Sequence, residues 1–335
     1  MRIDPTCDVS RDLLFDALAP ILEERIEGSH QLQLRRLEGG ASNRTWALEW
    51  GTSRYVLRAP PRGSAVITHD ARREFRALKA VAEVFSLAPR PLHLVRDPAA
   101  TGTPFFVMEW RAGRRLDDLQ PPGGEHGALA AASTFMACLA DLHALDAGAP
   151  GLRDLGAPAG FVERLVQGLH RRWTSSAEDD ADASAIAAWL SARIPKPQRA
   201  AVLHNDFKPD NVLWNDPLDA IAAVVDWELC SLGDPLVDLG LVLAYWPDEH
   251  DDEDRRSIDV VPLRPGLPTR RRLLDAYAAR SHLRVDAVAF YEVLGLFKVA
   301  VLMQQIVARD EGAAAARFRG APARVLRAAR RVAGA

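Results

Sequence analysis

Residues 200–228 constrain the fold most. They read "AAVLHNDFKPDNVLWNDPLDAIAAVVDWE". The apolar run before His204, the "VLW" at 212–214 and the "AIAAVV" at 220–225 are strand-like. Asn215, Asp216 and Pro217 between the second and third supply turn chemistry. The polar octapeptide "HNDFKPDN", 204–211, is therefore bracketed by apolar sequence that must be buried. An antiparallel hairpin puts the start of one strand beside the end of the other. Asn211 precedes the first strand and Asp226 ends the second. That geometry brings an amide oxygen and a carboxylate to one edge, a hard-oxygen pair suited to Mg²⁺. Asp206 lies five residues before Asn211 in the same loop and is available as a general base.

The rest of the chain divides by period. Residues 11–26 have helical apolar spacing, with Leu13, Leu14, Leu18, Ile21 and Leu22 on one face. "QLQLRRL", "RTWALEW" and "SRYVLRA" then alternate as strands, the first two joined by the loop "EGGASN", 38–43. Residues 69–85 return to helical spacing, and 90–96 and 104–110 read as two more strands. Beyond residue 128 the pattern is mainly helical, with helices expected at 128–145, 158–172, 183–194, 234–245, 269–281, 286–309 and 314–332. Residues 247–268, acidic and then proline-rich, read as an exposed loop. The expected fold is α+β, with a small antiparallel-sheet lobe over 1–111 carrying one helix, and a larger helical lobe over 112–335.

Bulk properties exclude several classes. A net charge of −3 offers no basic footprint for nucleic acid. Cys7, Cys138 and Cys230 form neither a metal pattern nor a disulfide framework, which fits a reducing cytoplasm. The N-terminus has no apolar signal core, and the alanine-rich stretch 128–140 is too short to span a bilayer, so no membrane partner is expected.

His-x-Asp-x-x-x-x-Asn followed by a strand-ending aspartate resembles the catalytic core of kinases with the protein-kinase-like fold. "VVDWELCSLGDPLVDLG" narrows the resemblance to the aminoglycoside phosphotransferase family, in the branch related to kinase domains fused to some acyl-CoA dehydrogenases. It covers roughly residues 30–310 and implies a bilobal fold, ATP and Mg²⁺ as cofactors, and a small-molecule hydroxyl as phosphate acceptor. The roles it implies are specific. Asp206 orients the attacking hydroxyl and takes its proton, and Lys208 reaches the transferring phosphate. Asn211 and Asp226 hold the metal. His204 fixes the loop, and Asp238 bonds the loop backbone. Glu228 either touches a metal-bound water or forms an ion pair. Asp234 reads as the cap of the helix that follows.

On the nucleotide side, Gly39 and Gly40 let the backbone approach phosphates, and Ser42 and Asn43 add hydrogen-bonding side chains. A Gly-Gly hairpin turn explains the same residues without a ligand. The third strand, "YVLRAPP", carries Arg58 where the resemblance implies a lysine, and no lysine occurs in residues 1–78. Glu74 is its expected carboxylate partner. Backbone groups near Glu109, Trp110 and Arg111 are expected to hold adenine, with Phe106 or Met108 packing nearby. The acceptor is the least legible part. The acidic run "DEHDDED", 248–254, suits a polycation, while Trp173, Trp189, Trp246, Tyr245 and Tyr291 suit a less polar pocket or the core. An aminoglycoside or macrolide resistance kinase and a silent nucleotide-binding pseudokinase are the alternative readings.

Overall fold

In a computed structural model the described residues are 2–3, 9, 11–22, 32–37, 43–61, 70–97, 99–115, 123–176, 180–216, 218–258, 266–309 and 313–334. The chain forms two compact units. The first is Met1–Ala112 with Ala223–Cys230, and the second is Gly113–Ala222 with Ser231–Ala335.

The first unit is built on a six-stranded sheet. In chain order its strands are β1 (Arg2–Ile3), β2 (Leu32–Arg36), β3 (Arg44–Trp50), β4 (Ser53–Ala59), β5 (Pro91–Val95) and β6 (Phe105–Glu109). The spatial order is β1-β2-β3-β4-β6-β5, antiparallel except for the short β1–β2 pair. Alternation along β3 and β4 sends Trp46, Leu48, Trp50 and Leu57 to one face. There they pack with Leu14 and Leu18 of α1 (Arg11–Leu22). Arg58, the neighbour of Leu57, takes the opposite face, where Phe106 meets Phe75 of α2 (Ala71–Ala82) edge to face. Asp70 caps α2 by accepting the Arg72 N–H at 2.9 Å. Both helices pack on the sheet, and α1 falls within the amphipathic stretch expected over 11–26. The segment 223–230 contributes Trp227, whose ring meets Phe85 edge to face.

The second unit is helical: α3 (Gly124–His143), α4 (Phe161–Ser176), α5 (Ala181–Ser191), α6 (Leu236–Tyr245), α7 (Glu253–Arg256), α8 (Arg270–Ser281), α9 (Val288–Arg309), α10 (Ala313–Phe318) and α11 (Ala321–Ala333). The strand β7 (Ala201–Leu203) leads into the 204–211 loop, and β8 (Val212–Trp214) leaves it. After the turn, β9 spans Ile221–Val224. β7 pairs antiparallel with β10 (Ser231–Gly233).

Two expectations change here. The segment 314–332 is two helices, because Gly320 at φ 79° leaves the helical conformation and Pro322 falls in the first turn of α11. In the expected loop 247–268, the described residues 247–258 contain α7 and bury Asp251 and Arg255, while 259–265 lie outside the described residues. The short helix escapes detection because its four residues, "EDRR", have no apolar period.

α9 is long and apolar enough, by composition alone, to cross a membrane, yet 67% of that span is buried inside the protein. It is a core helix, and its closest approach is to α6. A Cβ on Gly240 would lie 2.1 Å from the Tyr291 carbonyl oxygen, and one on Gly295 would lie 2.4 Å from the Gly240 carbonyl oxygen. These neighbours are backbone and cannot swing away. Gly240→Ala gains up to about 1 kcal/mol of helix propensity. The forced separation of the two helices outweighs that gain. The variant is expected to lose about 3 kcal/mol or to fail to fold, measured by urea unfolding.

Candidate active site

The polar loop after β7 is anchored from below by α6. Asp238 is fully buried. Its Oδ2 accepts the His204 N–H at 2.7 Å, and its Oδ1 accepts the Asn205 N–H at 2.8 Å. His143 Nε2 lies 3.3 Å from the same Oδ2, and His143 Nδ1 lies 2.8 Å from the Tyr277 hydroxyl. Burial pushes Asp238 up, but the hydrogen bond and charge of His143, with His204 and Lys298, bring it below the ordinary carboxylate value. Asp234 caps α6 by accepting the Leu236 N–H at 3.0 Å, and Tyr291 donates to its other oxygen at 2.6 Å.

Within the loop, three nominated residues come together. Asn211 Nδ2 donates to Asp206 Oδ2 at 2.9 Å and to the Asp206 carbonyl at 2.8 Å. Lys208 Nζ sits 2.9 Å from the same carboxylate oxygen, and its ammonium faces the Tyr245 ring. Burial lowers Lys208, but Asp206 outweighs it and the ammonium is held above its usual range. His204 Nδ1 accepts the Asp206 N–H at 3.2 Å. The imidazole thus braces the loop, as expected. The "KPDN" run makes one 3₁₀ turn at Pro209–Asn211, which is what carries the Asn211 amide back to Asp206.

The first unit holds a second charged group. Arg58 Nε donates to Glu74 at 2.9 Å. Its Nη2 donates to Asp226 and lies 4.0 Å from Glu228. Asn43 Nδ2 donates to Glu228 at 2.7 Å and lies 3.4 Å from Glu74. Arg73 donates to the Glu228 and Cys230 carbonyls at 3.2 Å each, tying 223–230 to α2. Burial lowers Arg58, but Asp226, Glu74 and Glu228 together raise it well above its usual value. Burial lifts Glu74 above the carboxylate range. Arg58 opposes this, and the Asp226 and Glu228 charges reinforce it. Asp226 does not end a strand: β9 stops at Val224, and Asp226 adopts φ 71°, a left-handed conformation that aspartate tolerates.

Other nominated residues fall elsewhere. Gly39, Gly40 and Ser42 lie outside the described residues. The Glu109 N–H is already given to the Arg90 carbonyl at 2.9 Å, and the Glu109 carboxylate pairs with Arg90 and Arg111. Trp110 is half-buried, and Phe106 and Met108 are buried in the sheet. Trp173, Tyr245, Trp246 and Tyr291 belong to the core of the second unit, while half-buried Trp189 stacks on Phe290. The acidic run faces the chain's own arginines. Asp251 pairs with Arg270, Asp252 with Arg331, Glu253 with Arg324, and Asp254 with Arg327 and Arg331.

Two participants escape the sequence reading. His143 sits inside an alanine- and leucine-rich helix, and Lys298 stands alone in "LGLFKVAVL". A lone charge in an apolar helix is a signal, since lysine is rarely buried without a partner. Lys298 is buried and donates to the Asn205 carbonyl.

Comparisons with known proteins give the family and the fold. The model of the "Phosphotransferase enzyme family" matches residues 33–274. Acyl-CoA dehydrogenase family member 11 of Mus musculus is 32% identical over 286 residues, 83% of this chain and 36% of that protein. Acyl-CoA dehydrogenase family member 10 of Mus musculus is 30% identical over 305 residues, 88% of this chain and 28% of that protein. The chain therefore spans about a third of the length of these curated relatives. Among solved structures, a candidate aminoglycoside phosphotransferase from Ralstonia eutropha is similar with a TM-score of 0.75 and 24% identity, covering 94% of this chain and 98% of that one. A thermostable aminoglycoside phosphotransferase in ternary complex with ADP and hygromycin B is similar with a TM-score of 0.62 and 17% identity, covering 94% of this chain and 97% of that one. The fold is thus that of the protein-kinase-like phosphotransferases, and the chain belongs to the phosphotransferase enzyme family.

Proposed function

We propose that the chain transfers the terminal phosphoryl group of ATP, with Mg²⁺, to a hydroxyl of a small molecule, and that Asp206 is the base. The observation that carries this reading is the Asp206 carboxylate, held at one oxygen by both Asn211 and Lys208 in a loop whose backbone is pinned to Asp238. Phosphoryl transfer asks a protein mainly to position groups and to neutralise charge. Asp206 accepts the hydroxyl proton as the oxygen attacks. Lys208, shared between Asp206 and the incoming phosphate, offsets charge on the transferred group. Arg58, steadied by Glu74, takes phosphate oxygens of the nucleotide, and its fork replaces the point charge of a lysine.

The residues fit a magnesium ion. Asp226 on the first unit and the Asn211 amide on the second would each offer a hard oxygen donor, and a divalent cation would relieve the Asp226 and Glu228 charges that add to burial in raising Glu74. When bound, Mg²⁺ would hold the ATP phosphates and neutralise the charge that develops on them. No cluster of three or more His, Cys, Asp or Glu side chains forms a ready-made metal cage among the described residues.

The acidic run bears on the acceptor. Its carboxylates at 251–254 are committed to Arg270, Arg324, Arg327 and Arg331, which leaves them poorly placed to receive a polycationic aminoglycoside. The reading therefore favours a neutral or weakly charged hydroxyl compound.

An ATP-consumption screen against hydroxyacyl compounds, choline, sugars and aminoglycosides tests the reading. Turnover with a hydroxyl compound is expected. ATP binding with no transfer to any acceptor would favour a nucleotide-binding module without catalysis. Asp206→Ala is expected to leave ATP affinity near wild type while lowering turnover by about 10²–10⁴-fold. Turnover equal to wild type would remove Asp206 from the reaction. Asp226→Ala is expected to abolish magnesium-dependent nucleotide binding in a calorimetric titration, and full affinity would refute the ligand assignment.

A further inference from the structure

The peptide group joining Asn205 to Asp206 is gripped at both polar ends. Its N–H, on Asp206, is given to His204 Nδ1 at 3.2 Å. Its carbonyl, on Asn205, receives the buried ammonium of Lys298 from α9. Asn205 itself is in the left-handed region at φ 62°, and the rest of it is fastened too. Its N–H goes to Asp238 at 2.8 Å, and its side-chain amide donates to Ser231 Oγ at 2.8 Å. Asparagine tolerates this conformation better than most residues, but the left-handed region still disfavours any residue with a Cβ. The geometry persists because surrounding groups over-determine it.

We propose that Lys298 is a positioning residue that locks the Asn205–Asp206 peptide plane and so aims the Asp206 carboxylate at the reacting hydroxyl. This rests on the reading of Asp206 as the base. Turning that plane would change ψ of Asn205 and φ of Asp206 together and swing the Asp206 side chain away from Asn211 and Lys208. A residue that merely filled space in "LGLFKVAVL" would be apolar. Here the apolar helix carries one charge, buried at 6% exposure and spent on one carbonyl. The placement follows from the glycine contact between α6 and α9. Gly240 and Gly295 let the two backbones nearly touch, so that Asp238 on α6 and Lys298 on α9 both meet the same loop residue, Asn205. This also gives Asn205, which has no chemical role, a reason to be asparagine.

The test compares wild type, Lys298→Met and Lys298→Arg. One arm follows ADP release from Mg·ATP with the best acceptor of the screen, or with water. The other follows hydrogen–deuterium exchange of peptides covering 203–211. Lys298→Met is expected to lower kcat by about 10- to 100-fold with KM for ATP unchanged within about twofold, as for a group misplaced by about an ångström. Its loop amides are expected to exchange faster while the remaining helices keep wild-type protection. Lys298→Arg keeps the charge on a differently shaped fork and is expected to fall between the two in both arms. Should the methionine variant not fold, the arginine variant decides alone. Wild-type kcat together with wild-type loop exchange in the folded variant would overturn the proposal, as would a fall in kcat matched by loss of folded protein. If wild type itself releases no ADP with any acceptor, the functional reading fails, and the exchange arm still decides the peptide lock.

Discussion

A buried carboxylate with four donors or cations around it fixes the chemistry of the second unit. Asp238 sits on α6, fully removed from water, and accepts two successive backbone N–H groups of the 204–211 loop. Burying a carboxylate costs several kcal/mol unless charge and hydrogen bonds return the lost solvation. His143 and Lys298 supply the charge, and the loop supplies the hydrogen bonds. The dependence is mutual. The loop has its shape because Asp238 collects its N–H groups, and Asp238 stays ionised because the loop is there. The glycine pair between α6 and α9 is the packing condition for this arrangement, since it brings both helices under one short stretch of chain.

The first unit solves a related problem with opposite sign. One guanidinium, Arg58, is gathered with three carboxylates, Glu74, Asp226 and Glu228, on the α2 face of the sheet. The alternation of β4 puts it there: Leu57 points to the apolar core, so Arg58 must point away from it. Burial lifts Glu74 well above its ordinary value; Arg58 opposes the rise, and the Asp226 and Glu228 charges add to it. These residues form the unit's internal ion pairs.

Much of this was legible in the sequence. The strands at 32–59 and the helices of the second unit follow from periods of two and of 3.6. The Asp206–Asn211 contact follows from a spacing of five across one 3₁₀ turn. What escaped was of two kinds. Short elements such as α7 carry too few residues for a period to show, and the break at Gly320 was hidden in an alanine- and arginine-rich run that looks helical throughout. Partners distant in sequence were also hidden. Asn43 meets Glu228 across 185 positions, and Lys298 meets Asn205 across 93, so only the fold reveals them. The partners of the acidic run 248–254 were hidden in the same way. The run reads as an open anionic surface because the arginines that neutralise it, on α8 and α11, come later in the chain.

The proposed function requires that the chain bind ATP as its magnesium complex. Calorimetric titration of the wild-type chain with ATP, once with magnesium and once with a chelator, tests it most directly. The account predicts binding at least about tenfold tighter with magnesium, because the carboxylates that repel the bare phosphates attract the metal that bridges them. Equal affinity in the two titrations, or no binding in either, would contradict it.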